Sequence, residues 1–397
     1  DPAPGSMVDP MRLLLGAFMV LCLAVVACDD DGDRESDALP AAPTSPGAAT
    51  ALTPPETSVF LFSTSPAPSV EHLDAGGATL IEWLDDGNSL VGYDWNARAY
   101  RIIDVRTGAT ISTFGAEVTN TNMRTIFAHP VPRGKFIVIE YEDGSSGATV
   151  YDVMANQYRT FSGPPGSNGG FEPSPDGTSV AFNNRAADGT AAMISHIDGS
   201  DPRVLRASED GTVGVVWHTW SPDGSWLLLN EFPRVGECAP DCNRLGSYIV
   251  TNVNGETIWR FEISALAEDE FIELQWAGMN RLLLTSWRDD PSNGRLQMVR
   301  ARFIDIPSGI EAPAPSELAV RFESMSPDGE HAIMRLGDGD GGPWEQRCSL
   351  VEIDPVAGTI TELVSQQPTA GDFQTVFCTT VDWTADGTQA IVSAGGH

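Results

Sequence analysis

Aligned on a recurring turn, seven positions of this 397-residue chain carry polar side chains that could act together. Five residues before the turn glycine, or its counterpart, stand Glu82, His129, Glu172, Thr219, Gln275, Ser324 and Asp382. One residue later stand Trp83, Pro130, Pro173, Trp220, Trp276, Met325 and Trp383, all apolar. If the repeating units close into a ring, the polar set lines its centre, and Asp382, Glu82, His129 and Glu172 become neighbours. Carboxylates held that close repel one another unless they are protonated, solvated or neutralised by a cation. The arc is therefore a candidate site for a divalent cation, Ca2+ or Mn2+, or for a polar ligand. The competing reading is a wet channel whose polar lining holds no ligand.

Little else in the chain suggests catalysis. There is no Gly-x-Ser-x-Gly elbow, no His-Glu-x-x-His and no Gly-x-x-x-x-Gly-Lys. The six histidines (His72, His129, His196, His218, His331 and His397) are scattered without metal-ligand spacing. Cys238 and Cys242 would close a small loop as a disulfide, and Cys348 and Cys378 are candidates for a second, as suits an exported protein. A zinc site would need all four to converge from three separate units.

The elements that must position these residues are read from the repeat. Ser174-Pro175-Asp176-Gly177 recurs at Ser221 to Gly224 and at Ser326 to Gly329. Weaker copies end at Gly87, Gly134 and Gly387, and a degenerate one at Asn280, so successive copies lie 43 to 58 residues apart. Pro sets φ at the first corner, Asp bonds nearby backbone and Gly takes positive φ, so each copy makes a tight hairpin turn. Short apolar runs follow, such as Val180-Ala181-Phe182 and Leu227-Leu228-Leu229. A second set of turns follows Asp104, Asp152, Asp198, Asn252, Asp305 and Asp354. Each unit thus reads as four short strands, the period of a propeller blade.

The expected fold is all-β: a seven-bladed propeller over residues 58–397. Its seventh unit stops one strand after its turn, while Val59 to Ser63 and Ser69 to Leu73 have no blade of their own. The N-terminal strands are expected to complete the last blade.

Residues 1–57 read as an address and a tether. Met11-Arg12 opens a basic start, and Leu13 to Ala27 is an apolar run of 15 residues. That is short for a span of about 20 residues and right for a signal peptide. It ends in Val25-Val26-Ala27-Cys28, which resembles the bacterial lipobox. The resemblance implies that residues 1–28 hold upstream residues and a lipoprotein signal, with Cys28 carrying the lipid. Residues 29–57, rich in Asp, Pro, Ser and Thr, read as a flexible acidic tether. Its Asp29-Asp30-Asp31-Gly32-Asp33 run is loosely similar to a calcium loop, but a solvated tether is the better reading.

The Ser-Pro-Asp-Gly turn, preceded by Trp220 in one copy and echoed at Trp383, resembles the TolB-type propeller family over residues 58–397. Gly-His and Trp-Asp signatures of WD repeats are missing. The resemblance implies a module that binds proteins or peptides, because no room is left for a hydrolase domain. It also admits a metal-dependent, carbohydrate-active lyase at the channel mouth, with His129 as its only ring imidazole. A purely structural role stays open.

Charge narrows the partner. The chain has 55 Asp and Glu against 23 Lys and Arg, a formal charge of -32, which excludes nucleic acid for want of a basic face. The longest connections, Phe232 to Gly246, Arg288 to Asn293 and Gly337 to Arg347, should open on one face. Phe232 and Trp344 would supply apolar anchors there, and Asp338 and Asp340 acidic ones. The sequence thus implies a monomeric propeller on the outer leaflet of a bacterial membrane, binding an envelope protein or peptide.

Overall fold

In the computed structural model, the described residues are 57–395 apart from several connecting stretches. Those outside the description are 76–77, 85–87, 95–96, 98, 115–125, 131–135, 142–147, 153–154, 165–169, 187–188, 208–212, 234–245, 264–269, 290–295, 316–321, 338–345, 355–358, 366–376 and 385. The chain divides into two units, Asp1–Leu52 and Thr53–His397. The first, with the expected signal segment, Cys28 and most of the expected tether, lies outside the described residues.

Every described regular element of the second unit is extended apart from a single 3-10 residue. The chain opens with β1 (Thr57–Ser63) and β2 (Ser69–Leu73). Blade 1 follows as β3 (Thr79–Trp83), β4 (Ser89–Asp94), β5 (Ala99–Asp104) and β6 (Thr110–Phe114). Blade 2 is β7 (Ile126–Pro130), β8 (Phe136–Tyr141), β9 (Ala148–Asp152) and β10 (Gln157–Thr160). Blade 3 is β11 (Glu172–Pro173), β12 (Ser179–Ala186), β13 (Gly189–His196) and β14 (Arg203–Arg206). Blade 4 is β15 (Val213–Trp220), β16 (Trp226–Pro233), β17 (Ser247–Asn252) and β18 (Thr257–Glu262). Blade 5 is β19 (Glu270–Trp276), β20 (Arg281–Asp289), β21 (Leu296–Asp305) and β22 (Glu311–Pro313). Blade 6 is β23 (Phe322–Met325), β24 (His331–Gly337), β25 (Gln346–Asp354) and β26 (Thr359–Ser365). The chain ends with β27 (Phe377–Trp383) and β28 (Gln389–Gly395).

These strands form seven four-stranded sheets, all pairs antiparallel. Six are consecutive hairpins. The remaining sheet has the order β2-β1-β28-β27, so the first two strands of the unit complete the last blade. Along that joint Thr57 to Ser63 pair in unbroken register with Gly395 to Gln389.

The turns are built as their residue types require. Ser174 Oγ donates to Asp176 Oδ1 at 2.6 Å, which also accepts the Thr178 N–H at 3.0 Å. The Ser179 N–H returns to Ser174 Oγ at 3.0 Å, closing the corner. Ser221 with Asp223 repeats this arrangement, and so does the weaker copy, Thr384 with Asp386, because a threonine hydroxyl bonds equally well.

The apolar runs after the turns fill the spaces between blades. Side chains alternate along a strand, and a central strand is covered on both faces. Leu227 and Leu229 therefore pack toward blade 3 with Ile194 and Leu205, while Leu228 packs toward blade 5 with Leu274 and Leu282. Ile333 faces blade 7 and its neighbours Ala332 and Met334 face blade 5. Each adjacent pair of blades shares one such cluster, which closes the circle. Burial on both faces is why the runs are continuously apolar.

The second turn of a blade locks against its predecessor. Gly255, between β17 and β18, has φ +85, and a Cβ there would lie 2.7 Å from the Leu205 carbonyl oxygen on blade 3. Gly108 stands in the same relation to Asp74, which follows the last strand of blade 7. Gly255→Ala should cost about 1–3 kcal/mol through positive φ and this clash. Urea unfolding would show it as a lower midpoint, whereas a neutral substitution at an equally exposed turn position would leave the midpoint unchanged.

Candidate functional site

The first strand of each blade lies innermost. β27 lies against β3, β7 against β11, β15 against β19 and β23 against β27. Glu82, Glu172, Thr219, Gln275, Ser324 and Asp382 are all half-buried on these strands. The side chain of His129 lies outside the description, though its backbone pairs with Val138 on β8. The polar ring expected from the alignment is thus present in the backbone arrangement.

The apolar residue that follows has a specific task. Trp83 Nε1 donates to the Asp382 carbonyl at 3.2 Å, Trp220 Nε1 to Glu172 at 3.0 Å, and Trp276 Nε1 to Thr219 at 3.3 Å. In each case the acceptor is the ring-lining residue of the preceding blade. The backbone of Asp382, Glu172 and Thr219 is therefore held by the tryptophan of the next blade. Pro130, Pro173 and Met325 have no such donor.

Among the described residues no three His, Cys, Asp or Glu side chains group closely enough to hold a metal ion. Asp382, Glu82 and Glu172 are described but the His129 side chain is not, so the expected four-residue arc lies partly outside the described residues. Asp382 is held by two backbone amides: its Oδ2 accepts the Trp83 N–H at 2.8 Å and its Oδ1 the Trp383 N–H at 2.9 Å. One carboxylate thus bridges the first strand of blade 7 to that of blade 1. Burial pushes its pKa up to about 6, against the pull of those two backbone bonds.

Two further inner-strand carboxylates, on the other side of blade 7, escaped the alignment. Glu273 on β19 is raised by burial. Glu323 on β23 is pushed up to about 7 by burial, which outweighs its ion pair with Arg335, and Glu273 adds to the rise. Burial and the Glu273 charge also lift Tyr248 to about 12. Glu323 sits at a bulge between Phe322 and Ser324, so counting back from the turn does not align it with other blades. A glutamate one or two residues before the polar position was the signal available.

The face opposite the turns, where second and third strands of a blade meet, is bound together by ion pairs. Glu231, near the end of β16, accepts from Arg206 of blade 3 at 2.6 Å, from Arg260 at 3.0 Å and from Ser247 at 3.1 Å. Glu270 at the start of β19 pairs with Arg300 at 2.9 Å, and Asp94 at the end of β4 pairs with Arg101. Phe232 is half-buried, and its ring lies over Gly214 on β15, where a Cβ would come within 2.6 Å of it. Trp344, Asp338, Asp340, Cys238 and Cys242 lie outside the described residues. Cys348 is buried on β25, and Cys378 lies on β27, a strand that contacts β25.

No family model matches this chain, and no curated protein does. Among solved structures it is similar to hydrazine synthase of Kuenenia stuttgartiensis, with TM-score 0.49 and 15% identity, over 78% of this chain and 90% of that one. It is also similar to an oligogalacturonate lyase of Vibrio parahaemolyticus, with TM-score 0.45 and 12% identity, over 85% and 96%. TolB of Acinetobacter baumannii gives TM-score 0.37 and 13% identity, over 86% and 65%. At these scores the similarities carry no argument about chemistry, and the fold rests on the strand pairing above.

The raised carboxylates have a consequence for stability. A carboxyl group with a raised folded pKa stabilises fully below its unfolded value and loses that contribution as pH rises through the folded one. For Glu323 the window runs from about 4.5 to about 7. Glu323→Gln should remove roughly 1–2 kcal/mol of the fall in stability across this window, after allowance for partial exposure. Thermal melts at pH 5 and pH 7.5 measure it; an unchanged slope would show that Glu323 titrates normally.

Proposed function

We propose that this chain is a non-catalytic binding module of the bacterial cell envelope, anchored by a lipid on Cys28 and recognising a protein or peptide through its loop face. The observation that carries the reading is the belt of ion pairs beneath that face. Glu231, Glu270 and Asp94 sit at strand ends on the loop side and are each fixed by arginine. Rigid strand ends under long connections suit recognition, because binding then costs little ordering of the scaffold.

The charge balance suggests the partner's chemistry. The chain has 23 basic residues, a single Lys among them (Lys135), and Arg101, Arg159, Arg206, Arg260, Arg300, Arg302 and Arg335 are engaged with its own carboxylates. With 55 acidic residues, the surface left over is anionic. A basic protein or peptide would be steered to it, with an affinity that falls as salt screens the charges.

Replacing residues 234–245 by a short Gly-Ser linker should abolish capture of the partner from envelope extracts while moving the melting temperature by no more than about 2 °C. Undiminished capture would sink the loop-face reading. Cys28→Ser should shift the full-length protein from the membrane to the soluble fraction; retention on the membrane would refute the lipid anchor.

A further inference from the structure

We propose that Cys348 and Cys378 form a disulfide that fastens blade 6 to blade 7, so that the blade in which the ring closes is braced covalently against its neighbour in an oxidising compartment. This inference does not depend on the binding reading.

Cys348, the third residue of β25, is 0% exposed, and its sulfur is not a free thiol. It packs in the cluster between blades 6 and 7 with Phe60 and Phe62 from the N-terminal strand and Trp383, Ala390 and Val392 from the C-terminal strands. That cluster unites both ends of the unit with blade 6. The neighbouring strand β27 carries Cys378 as its second residue, paired in register with Ala394. Both cysteines stand near the loop-side start of their strands, and β25 contacts β27. Among the cysteines on described strands, Cys378 is the one whose strand touches that of Cys348.

The chemistry is thiol–disulfide exchange. One thiolate attacks a disulfide oxidant, R-S-S-R, to give a mixed disulfide and release one R-SH. The second thiolate then displaces the other R-SH. Two thiols are oxidised, the oxidant's S–S bond is reduced, and the two protons end on the released thiols.

The bond complements the hydrogen-bonded joint. Register between β1 and β28 ties the N-terminal strands to the last blade, and that blade meets blade 6 through the packed cluster described. A cross-link over the 30 residues from 348 to 378 restricts the unfolded chain, as closing any loop of that length does.

Peptide mapping of the full chain, alkylated under denaturing, non-reducing conditions, tests the pairing. A linked peptide containing residues 348 and 378 is expected; alkylation of both, or linkage of Cys348 to Cys238 or Cys242, would overturn it. Cys378→Ala leaves the buried Cys348 in place and should lower the melting temperature by the same several degrees as reduction of the wild type. If the linked peptide is found but neither change moves the melting temperature, the locking role is overturned while the bond stands.

Discussion

The pairing of β1 with β28 is the constraint on which the rest of the structure depends. Thr57 to Ser63 run between β2 on one side and β28 on the other, so the strand is interior to its sheet. A propeller without such a joint would leave one edge of β28 unpaired and the last blade two strands short. Here closure is made by both ends of one sheet, and the apolar residues at the joint, Val59, Phe60 and Phe62, pack on blades 1 and 6 alike. The ring is therefore one cooperative object rather than a row of independent blades.

Two local devices carry that closure round the circle. Trp83, Trp220 and Trp276 donate to a carbonyl of the preceding blade, and Gly108 and Gly255 in second turns admit the backbone of that same preceding blade. Both act in one direction, from each blade to the one before it, so blade spacing is set by backbone contacts as well as by side-chain volume. A buried hydrogen bond of this kind contributes about 1 kcal/mol net, and leaving one partner orphaned costs more. Asp382 adds a charged version at the junction of last blade to first, accepting from Trp83 and Trp383 together.

Much of this was legible because the repeat writes backbone demands directly into residue types. Ser-Pro-Asp-Gly specifies a corner, and an apolar triplet such as Leu227 to Leu229 specifies a strand buried on both faces. The unpaired strands at the N-terminus identified how the circle closes. The site was harder to read. Counting from the turn placed Asp382, Glu82 and Glu172 on inner strands, but it could not show that Asp382 would spend its oxygens on backbone amides. The Glu323 bulge broke the register by one residue and hid a carboxylate with a more strongly shifted pKa. The packing of Phe232 over Gly214 was equally hidden, because nothing in its own segment announces a glycine on a different strand. Such facts depend on contacts across strands and carry no signature in local spacing.

The functional reading follows from where order is concentrated. Acidic residues outnumber basic ones by 55 to 23 in this chain, and the arginines described in ion pairs near the loop side fasten strand ends beneath the longest connections. That gives a stiff acidic platform, which requires the ring to be closed. Amide hydrogen exchange on the folded chain tests that closure most directly. The account expects Phe60, Leu61 and Phe62 on β1 to exchange as slowly as Leu228 at the centre of blade 4, since all open only with the whole ring. Fast exchange along β1 with protection retained at Leu228 would contradict it, showing a last blade that opens by itself.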